Sequence, residues 1–135
     1  MKTYEKENGS VLTLEDMATM IRQEGKLCRG RLHNRQRNRC FMGVITDYTR
    51  EGAPVSSFTE ESRYELYRDF DSYFGNYPEE LNDIFRGTNK ARAEYMALCC
   101  EELAAAIEYY NRDRRERSDE HELGVAEIPN HRFHE

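Results

Sequence analysis

Apolar residues recur at helical spacing along most of the chain, and one long polar stretch interrupts them. Leu14, Met17, Ala18 and Ile21 fall at i, i+3, i+4 and i+7, an amphipathic stripe that predicts a helix. Thr13 is placed to cap its free amides, Glu15 and Asp16 sit in its positive first turn, and Gly25 supplies the stop. Upstream, residues 1–12 read as an arm or short extended segment, with Val11 and Leu12 as its anchor. From Leu27 to Arg39 the text LCRGRLHNRQRNR has no helical stripe. Cys28, Gly30 and Leu32 alternate with Arg29, Arg31 and His33, the pattern of a short strand leading into a polar turn.

Cys40, Phe41, Val44, Ile45 and Tyr48 return to helical spacing, with Asn38 as a cap and Gly52 as a stop. Pro54 breaks that element, and Ser57 followed by Glu60 resembles a capping box for the next one. Tyr64, Tyr67, Phe70, Phe74 and Tyr77 form an aromatic stripe over residues 59–74, which reads as core, and Gly75 and Pro78 end it. A short acidic segment, Glu79 to Phe85, follows. Thr88 then caps the longest helix, roughly 89–117, whose stripe is Ala91, Tyr95, Leu98, Cys99, Leu103, Ala106, Ile107 and Tyr110. After Asn111 the stripe stops while the charges continue, as in a solvated extension or a disordered tail. Leu123, Val125, Ile128 and Phe133 could dock as an extended arm onto the body or a partner.

These elements predict a mainly α fold: a small bundle of four to five helices with a short β-hairpin or strand near residues 27–39. The single domain spans residues 1–112, with 1–10 as a loose arm and 113–135 as a charged tail. The length of 135 residues matches one domain with a feasible core. Although 34% of residues are charged, nine Tyr and six Phe argue against a wholly disordered chain. No apolar run is long enough to span a bilayer, and the first ten residues lack the form of a secretion signal. A cytoplasmic protein with no membrane partner is the expectation.

The net charge of -6 hides a segregation. Residues 22–50 carry eight Lys or Arg against two acids, whereas residues 51–89 carry nine acids against three Arg. Either the basic loop lies across the acidic aromatic helix and neutralises it, or the two blocks form faces that steer different partners. The four cysteines, Cys28, Cys40, Cys99 and Cys100, lack zinc-ribbon spacing, and a vicinal pair does not suit a disulfide scaffold. They read as small buried groups in a reducing compartment, with a Cys28–Cys40 bridge or an adventitious metal site as the alternative.

One further pattern joins distant segments. Cys28-Arg29-Gly30 follows the first helix, Arg39-Cys40-Phe41-Met42-Gly43-Val44-Ile45 comes next, and Leu81-Asn82-Asp83 precedes Gly87-Thr88 and Arg92. This resembles a family of small uncharacterised phage and bacterial proteins. In that family a C-A-x-G-A-[IL] helix is paired with a later N-D…T…R segment. Phe41 stands where the family usually has Ala, and Val44 at a second small position. The resemblance covers roughly residues 13–110. It implies a compact helical domain of phage or mobile-element origin, with no established activity.

The densest chemistry is the donor array of Arg29, Arg31, His33, Arg35, Arg37 and Arg39, interleaved with Asn and Gln. Guanidinium forks fit phosphates, so RNA or a nucleotide is one expected ligand. Against that stands the acidic pI of about 5.3, whereas nucleic-acid domains are usually basic. Asn82 and Asp83 read as a cap or turn into the last helix, or with Arg92 as the lining of a small polar cleft. No nucleotide-binding or hydrolase motif is present, and no cofactor or metal is implied; His131 and His134 offer only weak chelation from a tail. The expectation is a non-enzymatic interaction protein that binds and modulates a host protein. An RNA- or nucleotide-binding module is the first alternative, and a small nucleotide-acting enzyme the second.

Overall fold

The computed structural model describes residues 1–30, 38–47 and 56–122, with side chains to residue 117. The mainly helical fold with a short hairpin is as the sequence predicts, and a hairpin lies within the first twelve residues. Strands β1 (Tyr4–Glu5) and β2 (Val11–Leu12) pair antiparallel, Tyr4 opposite Leu12. An Asn8 side chain accepting from the Ser10 amide closes the turn between them. Phe58 extends the ladder by bridging Lys6, and the Glu7 amide donates to the Ser57 carbonyl at 2.8 Å. The first residues are therefore built into the body, and their anchor is the fully buried Tyr4 rather than Val11, which is exposed. At the expected site, residues 27–30 and 38–40 carry no named strand, and 31–37 lie outside the described residues.

Helix α1 (Leu14–Glu24) begins and ends on the predicted residues. Thr13 Oγ1 accepts from the Asp16 amide, the Asp16 carboxylate accepts from the Thr13 amide, and Gly25 closes the helix in the left-handed conformation at φ 80°. Helix α2 (Phe41–Ile45) is shorter than its apolar spacing suggests, and Cys40, not Asn38, holds its N-cap position. Helix α3 (Glu60–Phe74) starts from Thr59, whose hydroxyl accepts from the Ser62 amide at 3.1 Å, so the capping box expected at Ser57 and Glu60 is not the one used. Pro78 opens helix α4 (Pro78–Ile84), where its missing amide costs nothing. Thr88 Oγ1 accepts from the Ala91 amide and caps helix α5 (Asn89–Glu122), which is about 51 Å long at 1.5 Å per residue. The helix continues past residue 112 as far as Glu122.

Helix α1 packs lengthwise on α5, and α2, α3 and the hairpin close the core around them. All five residues of α2 are buried, and the Phe41 ring meets Phe70 at 5.9 Å. Two predicted stripes are only partly buried: Tyr67, Phe70 and Phe74 of α3 and Tyr95, Cys99, Leu103 and Ile107 of α5 lie in or against the core. In α3 the core residues are Ser62, Leu66 and Phe70, while Tyr64 is 67% exposed. In α5 they are Ala93, Met96, Ala97, Cys99, Cys100 and Leu103, while Ala91, Leu98 and Tyr110 face outward. The charged Arg92 is buried on the same side of α5 as Met96, Cys99 and Leu103.

Polar stitches hold the outer elements. Asp69 of α3 accepts from the Tyr4 hydroxyl at 2.7 Å and the Lys2 amine at 2.6 Å. Arg22 of α1 forks onto Glu94 and Glu101 of α5. Replacing Thr59 by Ala should cost about 1 kcal/mol of unfolding free energy. Ser57→Ala should change it by less than about 0.5 kcal/mol. Urea denaturation of the two variants reads the difference.

Candidate functional site

Helix α2 has no side-chain cap of its own, and α4 has no glycine to close it. The start of α2 is buried and the end of α4 is partly shielded, so the free amides and carbonyls there take partners from elsewhere in the chain. Asn82 and Arg92 supply them. The Asn82 carboxamide oxygen accepts from the Phe41 amide at 3.2 Å, which caps α2 from outside, and its nitrogen donates to the Cys28 carbonyl at 3.0 Å. Arg92 donates from Nε to the Asn82 carbonyl at 2.8 Å and from Nη2 to the Phe85 carbonyl at 3.1 Å, closing the C-terminal end of α4. Its Nη1 reaches the Leu27 carbonyl at 3.2 Å and Asn89 Oδ1 at 2.7 Å.

Asn82 is 1% exposed and Arg92 3%. A buried cation without acceptors would be costly; here the carbonyls at the negative end of α4 surround the guanidinium. The Phe85 ring lies 5.8 Å from it and stacks in turn on Tyr95 at 4.7 Å. Asp83 completes the group, its Oδ1 accepting from the Gly30 amide at 2.8 Å and from Asn82 Nδ2 at 3.0 Å. The three residues that were candidates for a polar cleft therefore sit together, but as a buried clamp. Asn82 and Arg92 are turned inward and engaged with the backbone.

What the clamp holds is the base of the arginine-rich segment. Leu27, Cys28 and Gly30 on its first leg are tied to α4 and α5, and the Cys28 amide donates to the Arg39 carbonyl at 2.9 Å, joining the two legs. Arg29 is exposed. Arg39 is spent on the protein itself: its guanidinium pairs with Glu24 at 2.7 Å and reaches Asp47 at 3.5 Å. Arg31, His33, Arg35 and Arg37 lie outside the described residues. Among those described, the basic segment does not neutralise the aromatic helix, because Asp69 and Glu65 of α3 face Lys2 instead.

All four cysteines are free and buried, in line with their reading as small core groups. Burial pushes the Cys40 and Cys99 thiols up to about 11 and holds Cys100 well above its ordinary value. Among the described residues no group of three or more His, Cys, Asp or Glu could hold a metal ion, and no helix is long and apolar enough to cross a membrane.

A second surface was hidden by the rotation of α5. The predicted stripe is split: Cys99 and Leu103 are buried and Tyr95 and Ile107 pack on the core, whereas Leu98 is 52% exposed, as is its neighbour in the helical period, Tyr109, at 61%. Tyr73 of α3 lies beside it with its hydroxyl against Glu102. No family model, curated protein or solved structure matches the chain.

Replacing Arg92 by Met should cost about 3–5 kcal/mol, because two buried and two part-buried acceptors lose their donor. Arg92→Lys should recover little of it, since one ammonium cannot span the same fork. Arg29→Ala should stay within about 0.5 kcal/mol. Urea midpoints at constant slope measure all three.

The thiols also set an alkaline limit. Their folded pKa values lie above those of the unfolded chain, where Cys ionises near ~8.5. Their stabilising effect is therefore complete below that pH and is lost as pH rises toward about 11. A thermal midpoint flat from pH 7 to 8 and falling between about 9 and 11 is the expected profile.

Proposed function

We propose that this is a non-enzymatic interaction protein, of the phage or mobile-element kind, that binds a host protein and modulates it. The observation that carries the reading is the outward face of α5. Leu98 and Tyr109 stand exposed on one side of a rigid helix, with Tyr73 of α3 alongside and Glu102 between them. Tyrosine joins a large apolar body to a hydroxyl and loses little entropy when fixed, which is why it concentrates at protein interfaces. Scattered exposed apolar groups need no explanation. Leu98 and Tyr109 share one face of α5 by the helix period, and Tyr73 of α3 adjoins that face through Glu102.

The buried clamp supports a binding role over catalysis, because Asn82 and Arg92 are committed to backbone partners and leave no polar cleft between them. The phosphate-binding alternative loses one of its six candidates, since Arg39 is paired with Glu24. The resemblance of residues 13–110 to small phage and bacterial proteins directs the search to a bacterial partner.

The test is affinity capture from bacterial lysate at low salt with the wild-type chain and with Leu98→Asp/Tyr109→Ser. The wild type should retain a stoichiometric protein that the variant loses, while both unfold at the same temperature. Equal retention by the two, or no stoichiometric partner at all, would overturn the reading.

A further inference from the structure

A groove adjoins the tyrosine surface of α5 and uses other residues of that helix. It runs between the first residues of the chain, the opening turn of α1 and the 101–108 stretch of α5, with a volume of about 420 Å³. Leu14, Ala104 and Ile107 provide apolar floor, and the two small residues Ala104 and Ala105 keep it open. Glu15, Glu101 and Glu108 stand at its walls.

The charges at this groove do not balance. Glu101 is matched by Arg22, and the Lys2 amine is taken by Asp69 at 2.6 Å and Glu65 at 3.9 Å. The Glu15 and Glu108 carboxylates, one from each flanking helix, form no ion pair among the described residues. The groove thus joins an apolar floor to two carboxylates that stand outside any ion pair among the described residues, and the Lys2 ammonium in its lining is already committed.

We infer that this groove is a docking site for a protein segment in which apolar side chains alternate with Lys or Arg. Apolar groups would cover Leu14, Ala104 and Ile107, while flanking cations would meet Glu15 and Glu108 at the rim. Acidic segments are rejected by like charge, and purely polar cations leave the floor uncovered. The inference is independent of the tyrosine surface, because the groove and that surface use different residues of α5.

The test uses the full chain and three synthetic pentapeptides, with acetylated and amidated ends: Lys-Leu-Lys-Leu-Lys, Glu-Leu-Glu-Leu-Glu and Lys-Gly-Lys-Gly-Lys. Methyl NMR follows Leu14, Ala104 and Ile107. The first peptide should shift these signals saturably at roughly millimolar concentration, as expected for a short, flexible ligand. The other two should bind more weakly. Glu15→Gln combined with Glu108→Gln should weaken the first peptide roughly fivefold, the scale of two rim charges. Ala105→Trp, at an exposed position, should fill the groove and abolish the shifts while leaving the melting temperature unchanged. Equal response to the acidic peptide, shifts centred elsewhere, or no shift would each overturn the inference. So would groove signals that move with protein concentration alone, which would make a second copy the occupant.

Discussion

The fold depends on one buried guanidinium. Arg92 satisfies acceptors from three places, the end of α4, the segment after α1 and the start of its own helix, while Asn82 caps α2 and holds Cys28. None of these contacts is apolar, yet they decide how the apolar surfaces meet. With Arg92 pointing inward, the helical period places Met96, Cys100 and Leu103 in the core and turns Leu98 out. The outward face and the packed face of α5 follow from the same rotation.

Charge has two roles in this molecule. Some pairs are internal ties: Arg22 with Glu94 and Glu101, Lys2 with Asp69, Arg39 with Glu24. The exposed ties contribute little singly, whereas the Arg39–Glu24 pair is largely shielded and anchors the second leg of the basic segment. Other carboxylates, such as Glu15 and Glu108, are left to solvent or to a partner. The sign segregation visible in the sequence is therefore only partly internal neutralisation. Among the described residues, that neutralisation runs to α1 and α5 rather than to the aromatic helix.

Local signals were the most legible part of the sequence. Thr13, Gly25, Gly75 and Thr88 mark helix ends through contacts a few residues away, and they act in the structure as they read in the text. Helix rotation was less legible because it is set at long range. The apolar stripe of α5 is real, but nothing near it in sequence reports that Arg92 is buried against Leu27 and Asn82. The N-D and Arg positions were singled out together and do meet, in a structural clamp rather than an open cleft. The hairpin of the first residues was illegible for a related reason: Tyr4 looks like an isolated residue until Asp69 and the Phe58 segment are brought to it. The outward face of Leu98 and Tyr109 could have been found only by knowing which side of the helix Arg92 occupies.

The external capping of α2 affects how the chain reaches its native state. Five residues are too few to form a stable helix in water, and the first amide of this one finds its acceptor forty-one residues away. Helix α2 therefore cannot form ahead of its surroundings; it appears only when α4 has arrived. The legs of the basic segment, fixed by the same asparagine, gain their geometry in that same event, so the body of the protein and the platform that carries its arginines are acquired together.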